Sequence, residues 1–253
     1  MLQTKRNKYG GVFIAGAELS NDGSEFNGGL TLAMDTWARE GLKLVWLEIP
    51  AHRGELLPKA VELGFELHHC FQQDLMLVKR LKTKAYIPNS CTHSIGAGGL
   101  VLSEDRRILV VLEQRDSLKR PGHLKFPGGM LERGEHLADG VVREVFEETG
   151  IRTTFGGLLG MRHHHRGHFG ASNIYAVFLL SPLTFDISVD GDELAKAMWL
   201  SAEEYLALED IGPFNRRAVE AALAADALSP VKLDSYMDSP DDYEIFMADR
   251  ATS

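Results

Sequence analysis

The residues best suited to chemistry lie between Gly129 and Ile151, where carboxylates stand at helical spacing. Glu144, Glu147 and Glu148 fall at i, i+3 and i+4, so they crowd one side of a predicted helix. Three like charges this close destabilise a helix unless a cation lies among them, and carboxylate oxygens are the ligands that Mg²⁺, Mn²⁺ and Ca²⁺ prefer. The cluster therefore predicts a divalent metal site, with a solvated acidic face as the alternative.

An amphipathic helix and a glycine turn must hold these carboxylates in position. Apolar residues fall at i, i+3, i+4 and i+7 of the helix, at Ala138, Val141, Val142 and Val145. This stripe predicts the face that packs against a core. Before the helix, Gly128 and Gly129 follow Pro127 and let the backbone turn sharply, so that a backbone carbonyl can face the metal.

The same stretch matches one known sequence pattern at every fixed position: Gly129, Glu135, Arg143, Glu144, Val145, Glu147, Glu148, Gly150 and Ile151. This pattern resembles the Nudix box. The resemblance implies that the Gly128 carbonyl joins Glu144 and Glu148 as metal ligands, and that Glu147 serves a second or third ion. It also implies that four positions are structural: Gly129, Glu135, Arg143 and Gly150. Of these, Glu135 and Arg143 form a pair.

The resemblance covers most of the chain, from about residue 9 to about residue 230, through segments such as GFELHHC, LKFPGG and DELAKAMWL. They are similar to the branch that includes the vertebrate fibroblast-growth-factor antisense Nudix proteins and plant ADP-ribose and NADH pyrophosphohydrolases. That branch implies an α/β fold class, a Nudix α/β/α sandwich preceded by a small α/β pre-Nudix domain resembling part of an acetyltransferase fold. We expect the pre-Nudix domain over 1–88, the Nudix hydrolase domain over 89–230, and an acidic C-terminal tail over 231–253 that packs loosely or is partly disordered.

Alternating apolar strands and amphipathic helices support this division. In the first part, helices are predicted at 27–39 and 54–63, a strand at 44–49, a hairpin at 65–71 and 75–80, and a polar linker at 82–93. In the second part, strands are predicted at 94–102, 108–113, 174–180 and 197–200, with helices at 201–208 and 213–227. The spacing of Ser201 and Glu204 predicts a capping box.

Further candidate residues lie outside the box. Glu193 lies in the loop before a predicted strand, where Nudix enzymes often carry an extra acidic residue, so the resemblance implies a further metal ligand or the general base. An ordinary loop carboxylate is the alternative. Arg115 and Lys125 are cations near the box that are suited to phosphate oxygens, with surface charge as the alternative.

The loop from His163 to Ser172 is predicted to line the substrate pocket. Its polar and aromatic side chains suit a ribose or a base, and the candidates are Arg162, His165, Phe169 and Ser172. The histidines of this segment do not favour a zinc site, because adjacent residues of a strand point in different directions and no cysteine or HExxH partner accompanies them. Solvated histidines are the alternative to a substrate-facing loop.

Composition limits the partners. The chain has 253 residues and a formal net charge of −9. Nucleic acids and anionic membranes are bound through basic patches, so neither is expected as a partner. No apolar run of about 18 residues occurs and the first residues lack the apolar core of a signal peptide, which predicts a cytoplasmic protein. Cys70 and Cys91 are too few for a disulfide framework.

The sequence therefore predicts a hydrolase that uses Mg²⁺ or Mn²⁺ to cleave a nucleoside diphosphate linked to another moiety, such as ADP-ribose or NADH. Glu148 or Glu193 is expected to take the proton from the attacking water. The alternative is a non-catalytic Nudix protein that senses a nucleotide or binds a partner. Acetyl transfer by the first domain is not favoured, because that domain lacks a glycine-rich loop able to cradle a pyrophosphate. A homodimer formed through the pre-Nudix domain is expected.

Overall fold

The computed structural model of the chain describes residues 3–20, 22–165, 167, 170–189, 191–233, 236–237 and 239–248. The chain divides into an N-terminal unit, residues 1–92, and a C-terminal unit, residues 93–253. Within the described residues, no helix is both long enough and apolar enough to cross a membrane.

The N-terminal unit is a five-stranded sheet with helices on one face. Its strands, in the sheet order β1-β2-β3-β5-β4, are β1 Lys5–Arg6, β2 Gly11–Ile14, β3 Leu44–Pro50, β5 Asp74–Arg80 and β4 Glu66–Phe71. Strands β2 and β3 are parallel, and β4 and β5 form the predicted antiparallel hairpin. The α-helices are α1 Gly23–Arg39 and α2 Leu57–Glu62, with 3-10 helices at Gly16–Glu18 and Ala51–Leu56.

Helix α1 begins where the sequence supplies a cap and packs through the face that its spacing predicts. The Asp22 carboxylate accepts hydrogen bonds from the backbone N–H groups of Ser24 at 2.6 Å and Glu25 at 3.2 Å. Leu30 and Met34 are buried in the core between the helices and the sheet. These two residues are four positions apart, so both lie on the one face of the helix that packs against the core.

The C-terminal unit is a mixed α/β layer structure. A four-stranded sheet has the order β8 Gly128–Met130, β6 His93–Val101, β10 Ser172–Pro182 and β9 Thr153–His164. Two further antiparallel pairs are β7 Arg107–Glu113 with β11 Leu194–Ser201, and β12 Ser229–Pro230 with β13 Phe246–Met247. The α-helices are α3 Leu137–Thr149, α4 Ala202–Ala207 and α5 Pro213–Leu223, and a 3-10 helix spans Pro240–Asp242.

Buried side chains fill both faces of these strands. Val141 and Val145 of α3 are fully buried in one core with Phe178 of β10. The other core holds Val219 of α5 with Val177, the neighbour of Phe178 in the same strand. Alternate residues of a strand point to opposite faces, so helices cover both sides of the sheet. The predicted apolar stripe of α3 is thus confirmed at Val141 and Val145.

Strand β9 was absent from the sequence prediction. It pairs antiparallel with β10 over most of its length, with two irregularities in register. Its glycines and polar histidines hide the strand pattern, because glycine weakens a strand and often marks a bulge. Gly157 has φ +145°, and a Cβ there would lie 2.7 Å from the Leu228 carbonyl oxygen. The glycine therefore permits a close backbone approach that the sequence pattern alone does not reveal.

The C-terminal tail packs more tightly than predicted. The Glu244 carboxylate accepts hydrogen bonds from the backbone N–H groups of Leu137 and Ala138, the latter at 3.0 Å. The N-cap residue of α3, His136, makes no side-chain cap of its own. The Phe246 ring lies 5.7 Å from that of Phe178. The prediction of loose packing is wrong for these residues, because the tail carboxylate satisfies the free N–H groups at the start of α3.

Candidate active site

Arg143 is the centre of an ion-pair network on the exposed side of α3. Its guanidinium donates to both oxygens of Glu135, at 2.7 and 2.9 Å, and to Glu144 at 3.0 Å and Glu147 at 2.9 Å. Glu135 is the largest influence that raises the pKa of Arg143, and Arg143 in turn lowers the pKa of Glu135. One cation thus holds the loop before the helix and offsets part of the repulsion among the clustered carboxylates.

Unlike Glu144 and Glu147, Glu148 forms no ion pair with a basic side chain of the described residues. Glu148 is only 9% exposed. The backbone N–H of Gly128 donates to its Oε2 at 2.8 Å. Burial raises the pKa of Glu148 to about 7, and this outweighs the opposing effects of the Gly128 N–H and of Lys125. The charges of Glu144 and Glu193 act in the same direction as burial. A buried carboxyl group is stabilised either by keeping its proton or by a nearby cation.

Two glycines make room for the acidic cluster. A Cβ on Gly129 would overlap the carboxylate of Glu144, and a Cβ on Gly128 would overlap the carbonyl oxygen of Ala97. Gly128 also has φ +148°, a conformation that L side chains rarely adopt. The sequence thus requires glycine here so that the β8 backbone and the α3 carboxylates can lie side by side.

Gly128, Gly129, Glu144 and Glu148 border one open cleft of about 530 Å³, here called the metal cleft. It is lined by Glu113, Gln114, Arg115, Lys125, Gly128, Gly129, Met130, Glu144, Glu148, Asp192, Glu193 and Leu194. Glu193 is exposed, and its carbonyl accepts a hydrogen bond of 2.8 Å from the N–H of Gln114. The structure therefore brings Glu193 to the same cleft as Glu144 and Glu148.

Arg115 and Lys125 lie on the wall of the metal cleft and both form ion pairs with Glu113. Burial of Glu113 opposes its ionisation, but Lys125 and Arg115 outweigh this effect and lower its pKa. Glu113 was not singled out from the sequence. Its position at the end of β7, two residues before Arg115, is the sequence feature that could have identified it as a site residue. Its charge keeps both cations beside the acidic cluster.

The donor set fits a hard divalent cation. Burial raises the pKa of Glu144 as well as that of Glu148, although Arg143 opposes the effect at Glu144. A cation favours the ionised form of both groups and relieves their repulsion. In the arrangement seen here, with Glu144 bound to Arg143, no three acidic, histidine or cysteine side chains of the described residues already form a metal-binding group. Three predicted ligands, Gly128, Glu144 and Glu148, thus share one cleft, whereas Glu147 does not line it and pairs with Arg143.

A pH-dependent loss of stability is expected in the metal-free protein. The folded-state pKa of Glu148 is about 7 against an ordinary value of 4.5, so folding favours the protonated acid. This contribution is fully present below about pH 4.5 and is lost as the pH rises through about 7. In EDTA, the urea midpoint should fall between about pH 5 and 7 more steeply for the wild type than for Glu148→Gln, and the two slopes should become equal above about pH 7. Parallel slopes for the two proteins between about pH 5 and 7 would contradict the assigned burial.

His165 and Ser172 line neither the metal cleft nor a second cleft beside it, which Arg162 and Tyr175 border. His165 Nδ1 is 3.0 Å from Ser172 Oγ, and the register of β10 places Ser172 on the face opposite to Tyr175. Arg162 instead pairs with Tyr175 across β9 and β10, on the face that borders a second cleft. The prediction thus differs from the structure for these two residues, since strand alternation separates them from Arg162. Phe169 and His168 lie outside the described residues.

The histidines form contacts that the sequence did not predict. His93 of β6 lies beside His163, with their Nε2 atoms 2.9 Å apart, and the His163 and His165 ring centroids are 4.6 Å apart. Neighbouring histidines and desolvation lower the pKa of His163, with desolvation the larger influence. Across the described ranges, these rings do not make up a metal-binding group.

Both units resemble known sequence families. Residues 92–222 match a family model described as the NUDIX domain, and residues 2–81 match one described as a Nudix hydrolase domain. Nudix hydrolase 2 of Arabidopsis thaliana is 36% identical over 209 residues, which cover 81% of this chain and 74% of the relative. Human nucleoside diphosphate-linked moiety X motif 6 is 33% identical over 229 residues, which cover 88% of this chain and 72% of the relative. A solved MutT protein from Methanosarcina mazei Go1 is 25% identical, with a TM-score of 0.45, and the match covers 55% of this chain and 99% of that one.

Proposed function

Since the chain belongs to the Nudix hydrolase family, we propose that it is a pyrophosphohydrolase that uses Mg²⁺ or Mn²⁺ to cleave a nucleoside diphosphate linked to another moiety. ADP-ribose and NADH are the proposed substrates. The observation that carries the proposal is the buried Glu148 beside Glu144, in one cleft with Lys125 and Arg115. Acidic ligands and phosphate-binding cations are the two groups that this hydrolysis requires.

Each side of the metal cleft has a separate role in the proposed reaction. Glu144, Glu148 and the Gly128 carbonyl would hold the ion, which would supply charge neutralisation and an acidified water. Glu147, which does not line the cleft, would serve a second or third ion. Lys125 and Arg115 would bind the non-bridging phosphate oxygens, for which their charge and position on the cleft wall are suited. Their ion pairs with Glu113 would keep them in place between substrates.

Two carboxylates are candidates for the group that takes the proton from water. A pKa of about 7 suits Glu148 to accept a proton near neutral pH, although metal binding would lower it. Glu193 is exposed at the same cleft and is the second candidate. A Glu193→Gln variant that binds metal normally but loses turnover would assign the base to Glu193.

The experiment that tests the function is a product assay over a panel of substrates, with and without added metal. The panel contains ADP-ribose, NADH, FAD, CoA, dinucleoside polyphosphates and dNTPs. Metal-dependent release of AMP from ADP-ribose or NADH supports the proposal. Tight binding of these nucleotides without hydrolysis, in Mg²⁺ and in Mn²⁺, would favour the nucleotide-sensing alternative.

We further propose that the N-terminal unit is a pre-Nudix domain, with a fold like part of an acetyltransferase, that forms a homodimer. Its edge strand β4 leaves Leu67 and Phe71 exposed by 61% and 42%. An edge strand with apolar side chains is suited to pairing with a second copy.

Light scattering of the full chain is expected to give the mass of a dimer. Leu67→Lys should shift the protein to a monomer, because a charge then faces its symmetry mate at the edge. Val61→Lys, which replaces another exposed apolar residue of the same unit, is the control and should leave the dimer unchanged. A monomeric wild-type chain would contradict the dimer.

A further inference from the structure

A second cleft, here called the side cleft, adjoins the metal cleft in the C-terminal unit. It has a volume of about 440 Å³ and shares Glu113, Arg115, Lys125 and Gly128 with the metal cleft. Its other lining residues include Arg162, Tyr175 and Phe214. The volume falls within the range of roughly 300–1,000 Å³ that is usual for small-molecule sites. A single ligand can therefore extend from the acidic cluster, past the two shared cations, into the side cleft.

Tyr175 forms a fixed aromatic wall of the side cleft. A Cβ on Gly96 or Gly98 would overlap the Tyr175 ring, so these two glycines of β6 provide the space that the ring occupies. Burial raises the pKa of the Tyr175 hydroxyl to about 12, which keeps it protonated at neutral pH. The strand sequence thus positions a neutral, rigid ring beside the acidic cluster without adding another negative charge.

Arg162 extends over this wall toward a second ring. Its guanidinium carbon is 5.1 Å from the Tyr175 ring centroid and 5.9 Å from that of Phe214. Arg162 is exposed, and it forms no ion pair with any carboxylate of the described residues. An exposed planar cation beside two rings offers a flat surface, and flat aromatic ligands stack on guanidinium groups and on phenylalanine.

We propose that the side cleft binds the nucleobase of the substrate, with the base stacked against Phe214 and the exposed guanidinium of Arg162. The sugar and the first phosphate would then lie toward Arg115 and Lys125. This inference rests on the proposed function for the location of the diphosphate. It assigns Arg162 and Phe214 as specificity-determining residues that contact the part of the substrate remote from the reacting phosphorus.

Calorimetric binding of AMP to the full chain tests the inference without requiring turnover, because AMP contains no phosphoanhydride bond. Arg162→Ala and Phe214→Ala are each expected to weaken AMP binding by at least about tenfold, the loss expected for one stacking contact. Ribose 5-phosphate, which lacks the base, should bind equally to the wild type and the variants. Arg152→Ala is the matched control, since Arg152 lies 5.1 Å from the Phe146 ring and lines neither cleft.

Turnover gives a second readout. With the best diphosphate substrate, the two variants should raise KM by about tenfold and change kcat by less than about threefold, because the base is remote from the chemistry. Equal AMP binding by wild type and Arg162→Ala, or no AMP binding by the wild type, would overturn the inference even if hydrolysis occurs. Equal losses for AMP and ribose 5-phosphate would also overturn it, since Arg162 would then bind phosphate. Lack of hydrolysis with every substrate would refute only the proposed function.

Discussion

Replacing Glu148 with glutamine is expected to lower kcat by at least about 100-fold while the fold stays intact. The variant removes a negative charge from the metal cleft and keeps the size of the side chain. A glutamine oxygen can still accept the hydrogen bond that Gly128 N–H donates to Glu148 at 2.8 Å. Because burial raises the pKa of Glu148 to about 7, a neutral side chain at this position also carries no added desolvation cost. The loss should therefore be in metal binding and catalysis and not in stability.

Glu132→Gln is the matched control for this variant. Glu132 is an exposed acid of the same loop-helix region and does not line the metal cleft. Its turnover and its urea midpoint should equal those of the wild type. Near wild-type kcat in Glu148→Gln, measured under saturating metal and substrate, would refute the mechanism proposed for the acidic cluster.

Replacing Val145 with aspartate is expected to destabilise the C-terminal unit by at least about 4 kcal/mol. Val145 is fully buried and its side chain packs against the backbone of Gly99, where even a Cβ would overlap it. An aspartate there would bury a charge with no cation partner in a core that has no room to rearrange. A domain of ordinary stability would lose most of its folded population.

Phe146→Asp is the control for Val145→Asp. Phe146 is the next residue of α3 and is 44% exposed, so the same charge remains in water. Its urea midpoint should fall much less than that of Val145→Asp, as judged by circular dichroism. Equal midpoints for the two variants would mean that the faces of α3 are assigned wrongly.

The sequence predicted what depends on local spacing. The period of the valines in α3 is confirmed by the burial of Val141 and Val145, and the capping box of Ser201 and Glu204 is present. The family resemblance is likewise confirmed by the relatives. Helical periodicity and capping are set by residues a few positions apart, so one sequence is enough to specify them.

Features that depend on distant residues were missed. The cap that Glu244 provides for α3 joins residues 106 and 107 positions apart, and no local pattern predicts such a contact. The side cleft combines Arg162 and Tyr175 with Phe214, which comes from a helix later in the chain. Successive side chains of a strand point to opposite faces, and this pattern in β9 could have placed Arg162 and His165 on different faces. The glycines of β9 hid the strand pattern in the sequence.

The most direct test of the central claim compares metal binding with metal-dependent turnover in the same protein. Mg²⁺ is titrated into the wild type and Glu148→Gln by calorimetry, and AMP release from ADP-ribose is measured over the same concentrations, with EDTA as the zero point. The wild type is expected to show a binding midpoint that matches the activation midpoint, and Glu148→Gln is expected to lose both. Turnover that persists in EDTA, or Mg²⁺ binding that is unchanged in Glu148→Gln, would contradict the claim that this acidic cluster holds the catalytic ion.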